Sequence, residues 1–140
     1  MQDRPTGPEL LNTVRDFLEE EVVPGITDRR LKYQILIALN LLRILEREVP
    51  GEEGRLRAEL DALHDLLGLP RAVQPTDPAA LRQRVLEANR QLCERIRRGL
   101  ADTGPWRQPV FLHVRAAVEE KLRINNPTQL EAVLEELADE

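Results

Sequence analysis

Six polar residues lie among or beside apolar positions, and their types could do chemistry. Tyr33, Asn40 and Arg47 are spaced seven apart, so a helix turning about 100° per residue brings them nearly into line. Asn89 falls in the middle of an apolar arc with Val85, Leu92, Cys93 and Ile96, while His113 and Arg115 flank a later apolar stripe on opposite sides. Brought together between helices, the six would line a small polar pocket. Arginine would grip a phosphate or carboxylate through parallel N–H donors, the amides would fix its orientation, and histidine would serve as an acid or base. The competing reading is structural. A buried polar group left unpaired costs about 1–3 kcal/mol, so the amides can serve as pins between helices. On that reading Asn40 sits at the rim of the core, between the charged arc of Lys32, Arg43 and Arg47 and the apolar arc of Ile37, Leu41, Ile44 and Leu45. Asn89 is then the polar group most deeply placed in the core.

No catalytic set is complete. His113 has no carboxylate four residues away to orient it, and no nucleophile is identifiable. Asp61, His64 and Asp65 put at most two side chains on one side of a turn, where a metal needs three or four converging ligands. The sequence holds no HExxH, no CxxC, no paired Glu-x-x-His, no GxGxxG and no GK[ST] loop, so catalytic residues, metal and cofactors are all expected to be none. Arg82, Arg84, Arg90, Arg95, Arg97 and Arg98 make a local basic run. They spread around the helix and have acidic neighbours, so exposed ion pairing is the simpler reading. Cys93 reads as a small buried hydrophobe.

The elements that must position these residues are helices. Thr6-Gly7-Pro8-Glu9 has the form of a capping box opening a helix over 7–23, with Leu11, Val14, Leu18 and Val22 inward and Pro24-Gly25 as its stop. Asp28 caps a second helix over 29–49. A third, over 52–67, carries Leu56, Leu60, Leu63 and Leu67 in steps of 4, 3 and 4, with Gly68 as a left-handed terminator. After a Pro-rich linker at 68–77, a fourth helix over 77–98 carries Leu81, Val85, Ala88, Leu92 and Ile96. A fifth over 109–124 carries Val110, Val114, Val118 and Leu122, and a sixth over 127–138 carries Leu130, Val133, Leu134 and Leu137. No stretch alternates long enough for a strand. The expectation is an all-α, single-domain bundle of about six helices.

The second helix is apolar nearly all round, through Ile35, Leu36, Ile37, Leu39, Leu41, Leu42, Ile44 and Leu45, with Leu36 and Leu39 on the charged side. Such a helix must be enclosed. It is therefore expected to be the central helix, with Ile37, Leu41 and Leu45 covered by its neighbours or by another chain.

The 140 residues, 41% hydrophobic and 32% charged, suit one soluble globular domain. A net charge of −5 gives no general attraction to nucleic acid or anionic membrane. One cysteine allows no internal disulfide, and the opening residues lack the apolar stretch of a signal peptide, so a cytoplasmic protein is expected.

The opening MQDRP with DFLEEEV resembles a family of short, uncharacterised bacterial helical proteins. Further echoes are Ala38-Leu39-Asn40, Glu46-Arg47-Glu48, Asn89 with Leu92-Cys93-Glu94-Arg95-Ile96-Arg97, His113 with Arg115, and Lys121-Leu122 leading to Asn126-Pro127. Members of that family have no established activity. They are often encoded beside phosphotransferases of the aminoglycoside-kinase type and acyl-CoA dehydrogenases, so the resemblance implies an accessory role. Tyr33-Gln34 stand where the family often has His-Ala, which argues against a shared catalytic histidine there. The tail after Pro127 adds a helix that could cover a surface left open in relatives. Two readings stand: a non-catalytic interaction protein, a homodimer or the partner of such an enzyme; and a binder or enzyme for a phosphorylated or acyl ligand, using Tyr33, Asn40, Arg47, Asn89, His113 and Arg115.

Overall fold

A computed structural model describes residues 4–71 and 73–138 of the chain. Met1, Gln2 and Asp3 of the opening motif lie outside the described residues. Six α-helices follow one another: α1 (Gly7–Phe17), α2 (Arg29–Glu48), α3 (Glu52–Leu67), α4 (Pro78–Arg97), α5 (Arg107–Asn125) and α6 (Pro127–Ala138). No strand occurs among the described residues, and the fold is all-α. The packing falls into two compact units, Met1–Gly51 and Glu52–Glu140.

The helix starts follow the capping chemistry of the sequence. Thr6 accepts from the Glu9 N–H at 3.4 Å while the Glu9 carboxylate takes the Thr6 N–H at 2.6 Å, closing the capping box. Asp28 and Asp77 cap α2 and α4 through the N–H groups of Arg30, Leu31, Ala79 and Ala80. Helix α5 begins at Arg107, so Pro109 sits within its first turn, where an N–H would have no intrahelical partner. The first helix runs on past Phe17 through a π-helical turn, Leu18–Val22, and a 3₁₀ turn, Val23–Gly25.

In the first unit α1 and α2 form an antiparallel hairpin. Arg15 of α1 reaches Glu46 at 2.9 Å, and Glu19, four residues on in the π-helical turn, is held by Arg43 at 2.6 Å. The line facing α1 therefore passes along Ile35, Leu39, Leu42 and Glu46. Leu39, assigned by the sequence pattern to the charged side, is the one buried residue of α2. Arg43 of the charged arc and Glu46 on the contact line are the hairpin's cross-links, to Glu19 and Arg15.

The second unit holds the main core. Leu60, Leu63 and Leu67 of α3 pack with Leu81, Val85, Ala88 and Leu92 of α4 and Val110 of α5, matching the rows expected on α3 and α4. No residue of α2 belongs to this cluster, so the core is not built on the second helix as expected. Helix α5 is rotated from the expected row: Val114 and Val118 are exposed, and its less exposed residues include Val110, His113, Ala117, Glu120 and Ile124. Val14 of α1 is likewise exposed.

The end of α3 is closed without an orphan carbonyl. Gly68, at φ +67°, lets its own N–H reach the Asp65 carbonyl and the Leu69 N–H reach that of His64. Trp106 Nε1 donates to the Leu66 carbonyl and Arg95 Nη1 to that of Leu67, both at 2.9 Å. Thus all of the last four carbonyls of α3, which no helix can satisfy by itself, have donors, and those of Leu66 and Leu67 tie α3 to the start of α5 and to α4. The Pro-rich linker is pinned as well. Arg57 donates to Gln74 and to the Pro75 carbonyl, and Gln74 donates to Asp61.

In urea titrations, Leu63→Ala should cost about 2–5 kcal/mol, the range for emptying a buried leucine site. Trp106→Phe should cost about 1–3 kcal/mol, because it keeps the ring but leaves the Leu66 carbonyl without its donor. A Trp106→Phe midpoint equal to that of the parent would show that this bond does not hold the helix end.

Candidate functional site

The α1–α2 hairpin has two unlike sides. On one, Arg43 and Glu19 are bonded across the pair. The other is apolar. Leu10, Val14 and Phe17 run along α1, and Ile37, Leu41, Leu45 and Val49 along α2; all are exposed, from 41% at Leu45 to 59% at Phe17. At about 100° per residue Val14 and Leu45 lie about 100° from the contact line set by Arg15 and Glu46, whereas Phe17, Ile37 and Leu41 lie about 140–180° from it, on the outer backs of the two helices. Exposed apolar rows of this kind are a mark of an interaction surface.

The sequence pattern had placed Val14 and the Ile37–Leu41–Leu45 row under cover. Along α1 the spacing holds two adjacent stripes. Leu11 and Leu18 turn toward α2, while Leu10, Val14 and Phe17 turn away from that line. One stripe was legible as core; the second was the signal for a further surface.

In the second unit an open hollow of about 440 Å³ lies at the end of α3, lined by Asp65, Leu66, Leu67, Gly68, Arg95, Leu100 and Trp106. Its polar groups have structural duties. Arg95 and Trp106 donate to carbonyls of α3, and Asp65 is paired with Arg71 through both oxygens. The hydrogen bond from Arg71 holds the Asp65 carboxyl below the usual carboxylate range, and the same bond raises Arg71. A second exposed apolar row, Phe111, Val114 and Val118, runs along α5.

The six polar residues singled out by sequence divide between the units. Tyr33, Asn40 and Arg47 lie on α2; Tyr33 is 66% exposed and Asn40 is exposed, whereas Arg47 is half-buried. Asn89 on α4 is half-buried rather than deep in the core, and its amide donates to Glu59 on α3 at 2.8 Å. It therefore acts as the interhelical pin that Asn40, out in solvent, does not provide. On α5, Arg115 is exposed and bonds Glu119 one turn on. His113 turns inward, with a buried Nε2 that makes no hydrogen bond. Cys93, expected to be buried, is exposed.

The basic run on α4 is largely engaged within the chain. Arg82 forms a two-bond pair with Glu52, Arg84 donates to the Val73 carbonyl, and Arg90 lies 3.9 Å from Glu87. Among the described residues no three His, Cys, Asp or Glu side chains group as a metal would need, and no helix is long and apolar enough to cross a membrane. The hydrogen bond from Arg82, helped by its charge, holds the Glu52 carboxyl below the usual glutamate range.

A lowered folded-state pKa adds stability above the unfolded value, about 4.3 for glutamate. That contribution is lost as pH falls through the lowered folded value. The pair is largely exposed, so its contribution is under about 1 kcal/mol. Arg82→Gln should therefore destabilise the chain slightly at neutral pH, and the difference from the parent should close as pH falls below about 4. A gap that stays constant down to acid would remove Glu52 as its source.

Against known proteins, the family described as a domain of unknown function (DUF6285) matches residues 25–129. The match takes in α2 to α5 and ends just inside α6, leaving α1 outside. No curated protein and no solved structure gives a significant match.

Proposed function

The chain belongs to the DUF6285 family, whose match spans most of its length, and from that premise we propose that it is a non-catalytic helical interaction protein, a homodimer in its working state. The observation that carries this reading is the apolar side of the α1–α2 hairpin, where Ile37, Leu41 and Leu45 stand open to water. Leaving such a row in solvent costs roughly 25 cal/mol for each Å² that a partner could cover. Two of the candidate polar groups are engaged within the chain, Asn89 with Glu59 and Arg115 with Glu119.

The genomic company implied by the sequence resemblance supports an accessory role beside a phosphotransferase-like or acyl-CoA dehydrogenase-like enzyme, with the protein placed in the cytoplasm. Light scattering of the purified protein, with identification of what it retains from its native cytosol, tests the proposal. The expected result is a mass above that of the monomer and a retained enzyme of one of those two classes. A strict monomer that retains neither class would contradict it.

A second reading is favoured by one observation, the buried Nε2 of His113 without a hydrogen-bond partner. A small phosphorylated or acyl ligand supplying that partner would make the protein a binder. Ligand at about a hundred times its Kd adds about 2.7 kcal/mol to stability. Coenzyme A esters and sugar phosphates should then raise the melting temperature of the parent and not of His113→Gln. No shift with any of them would set this reading aside.

A further inference from the structure

The cations of α5 divide by whether they are neutralised. Arg115 and Arg123 are held along the helix by Glu119 and Glu120. Arg107 and Lys121 are exposed, and among the described residues neither has a carboxylate partner. No residue of α5 three or four positions from them is acidic. Val110 and Phe111 follow Arg107, and Ala117, Val118, Ile124 and Asn125 flank Lys121.

These two unpaired cations stand at the ends of the exposed apolar row. At about 100° per residue, Lys121, Val114, Arg107, Val118 and Phe111 point within about 80° of one another. The three apolar members are open, from 41% at Val114 to 58% at Phe111. The amide Asn125 completes this arc of α5, which therefore holds no carboxylate. The inward residues Val110, His113 and Ala117 lie to one side of it and Arg115 to the other. The arc is apolar in its middle and positive at both ends, about 21 Å apart.

That pattern constrains the occupant. Phe111, Val114 and Val118 step by three and then four, the spacing by which one helix seats on another. A second copy of α5 does not fit. Parallel or antiparallel, each end contact would set cation against cation. A lipid surface is met by a broad apolar face, whereas three residues on an arc of about 80° suit the width of one helix.

We propose that this arc docks an amphipathic helix of a different protein, one whose apolar row lies between two carboxylates about 21 Å apart. The carboxylates take up Arg107 and Lys121 while the apolar row covers Phe111, Val114 and Val118. Helices with cations at those places are rejected by like charge. The proposal rests on the interaction-protein reading above and adds a second surface with the chemistry of its partner.

Fluorescence anisotropy on the full chain tests it with two alanine-based peptides, stapled to hold the helix. Both carry leucines in the same three-then-four steps. One has a glutamate at each end of the row, and the other a lysine. The glutamate peptide should bind at least about tenfold more tightly, and Arg107→Glu with Lys121→Glu should invert that preference. Val114→Glu should weaken the glutamate peptide at least about tenfold, as loss of a central anchor does. Its helical signal should stay intact, because these side chains are exposed, and its mass by light scattering should equal the parent's.

No binding of the glutamate peptide, or equal binding of both peptides, would overturn the proposal. A Val114→Glu chain that loses self-association would make a second copy the occupant and overturn it too. So would binding of the parent to phosphatidylserine vesicles that Val114→Glu abolishes, which would assign the arc to lipid. Failure of the function reading is distinct: it shows as a strict monomer retaining neither enzyme class, whatever the peptides do.

Discussion

A helix has one circumference, and a hairpin partner covers only one side of it. That constraint governs the first unit. Helix α2 carries apolar residues nearly all round, but α1 meets it along Leu39 and Glu46, with Arg15–Glu46 and Glu19–Arg43 fixing the line. Two ion pairs on the contact side orient the helix so that its greasier arc turns outward. Partly exposed pairs of this kind contribute little stability; their effect here is directional. The outward arc, like Val14 and Phe17 on α1, then requires an explanation that the hairpin alone does not supply.

The second unit solves its own problem differently. Its core is a leucine, valine and alanine cluster of α3 and α4 capped by Val110, and its polar chemistry is gathered at the end of α3. Trp106 and Arg95 close carbonyls that would otherwise be left unpaired. The hollow beside them is thus a by-product of helix capping. Asn89 is similar: its amide crosses from α4 to Glu59 on α3 and sets how those helices register. The polar groups of the second unit are mostly occupied with holding it together.

Helix existence and order were legible in the sequence because caps and stops are local. Thr6, Asp28, Asp77 and Gly68 act on neighbours within a turn or so, and each does what its chemistry says. The buried rows of α3 and α4 were legible for a related reason, since each has one apolar stripe and so one way to face its partner. Rotation was not legible where a helix offered a choice. On α2, Leu39 won the inward place over Ile37 and Leu41 because the cross-links at Glu46 and Arg43 are long-range, thirty-one and twenty-four residues away in sequence. On α5, Val110, His113 and Ala117 turn inward while Val114 and Val118 do not; a histidine within that set hid the row from a search for apolar spacing. Polarity against an apolar background marks a pin such as Asn89 as readily as a binding group.

The central claim is that the apolar side of the hairpin is covered when the protein works. Hydroxyl-radical footprinting of the native protein across a wide concentration range reads this side chain by side chain. If the claim holds, Phe17, Ile37 and Leu41 lose reactivity as concentration rises, while Phe111 on α5 keeps its own. Equal reactivity of Phe17, Ile37 and Leu41 at every concentration would contradict it.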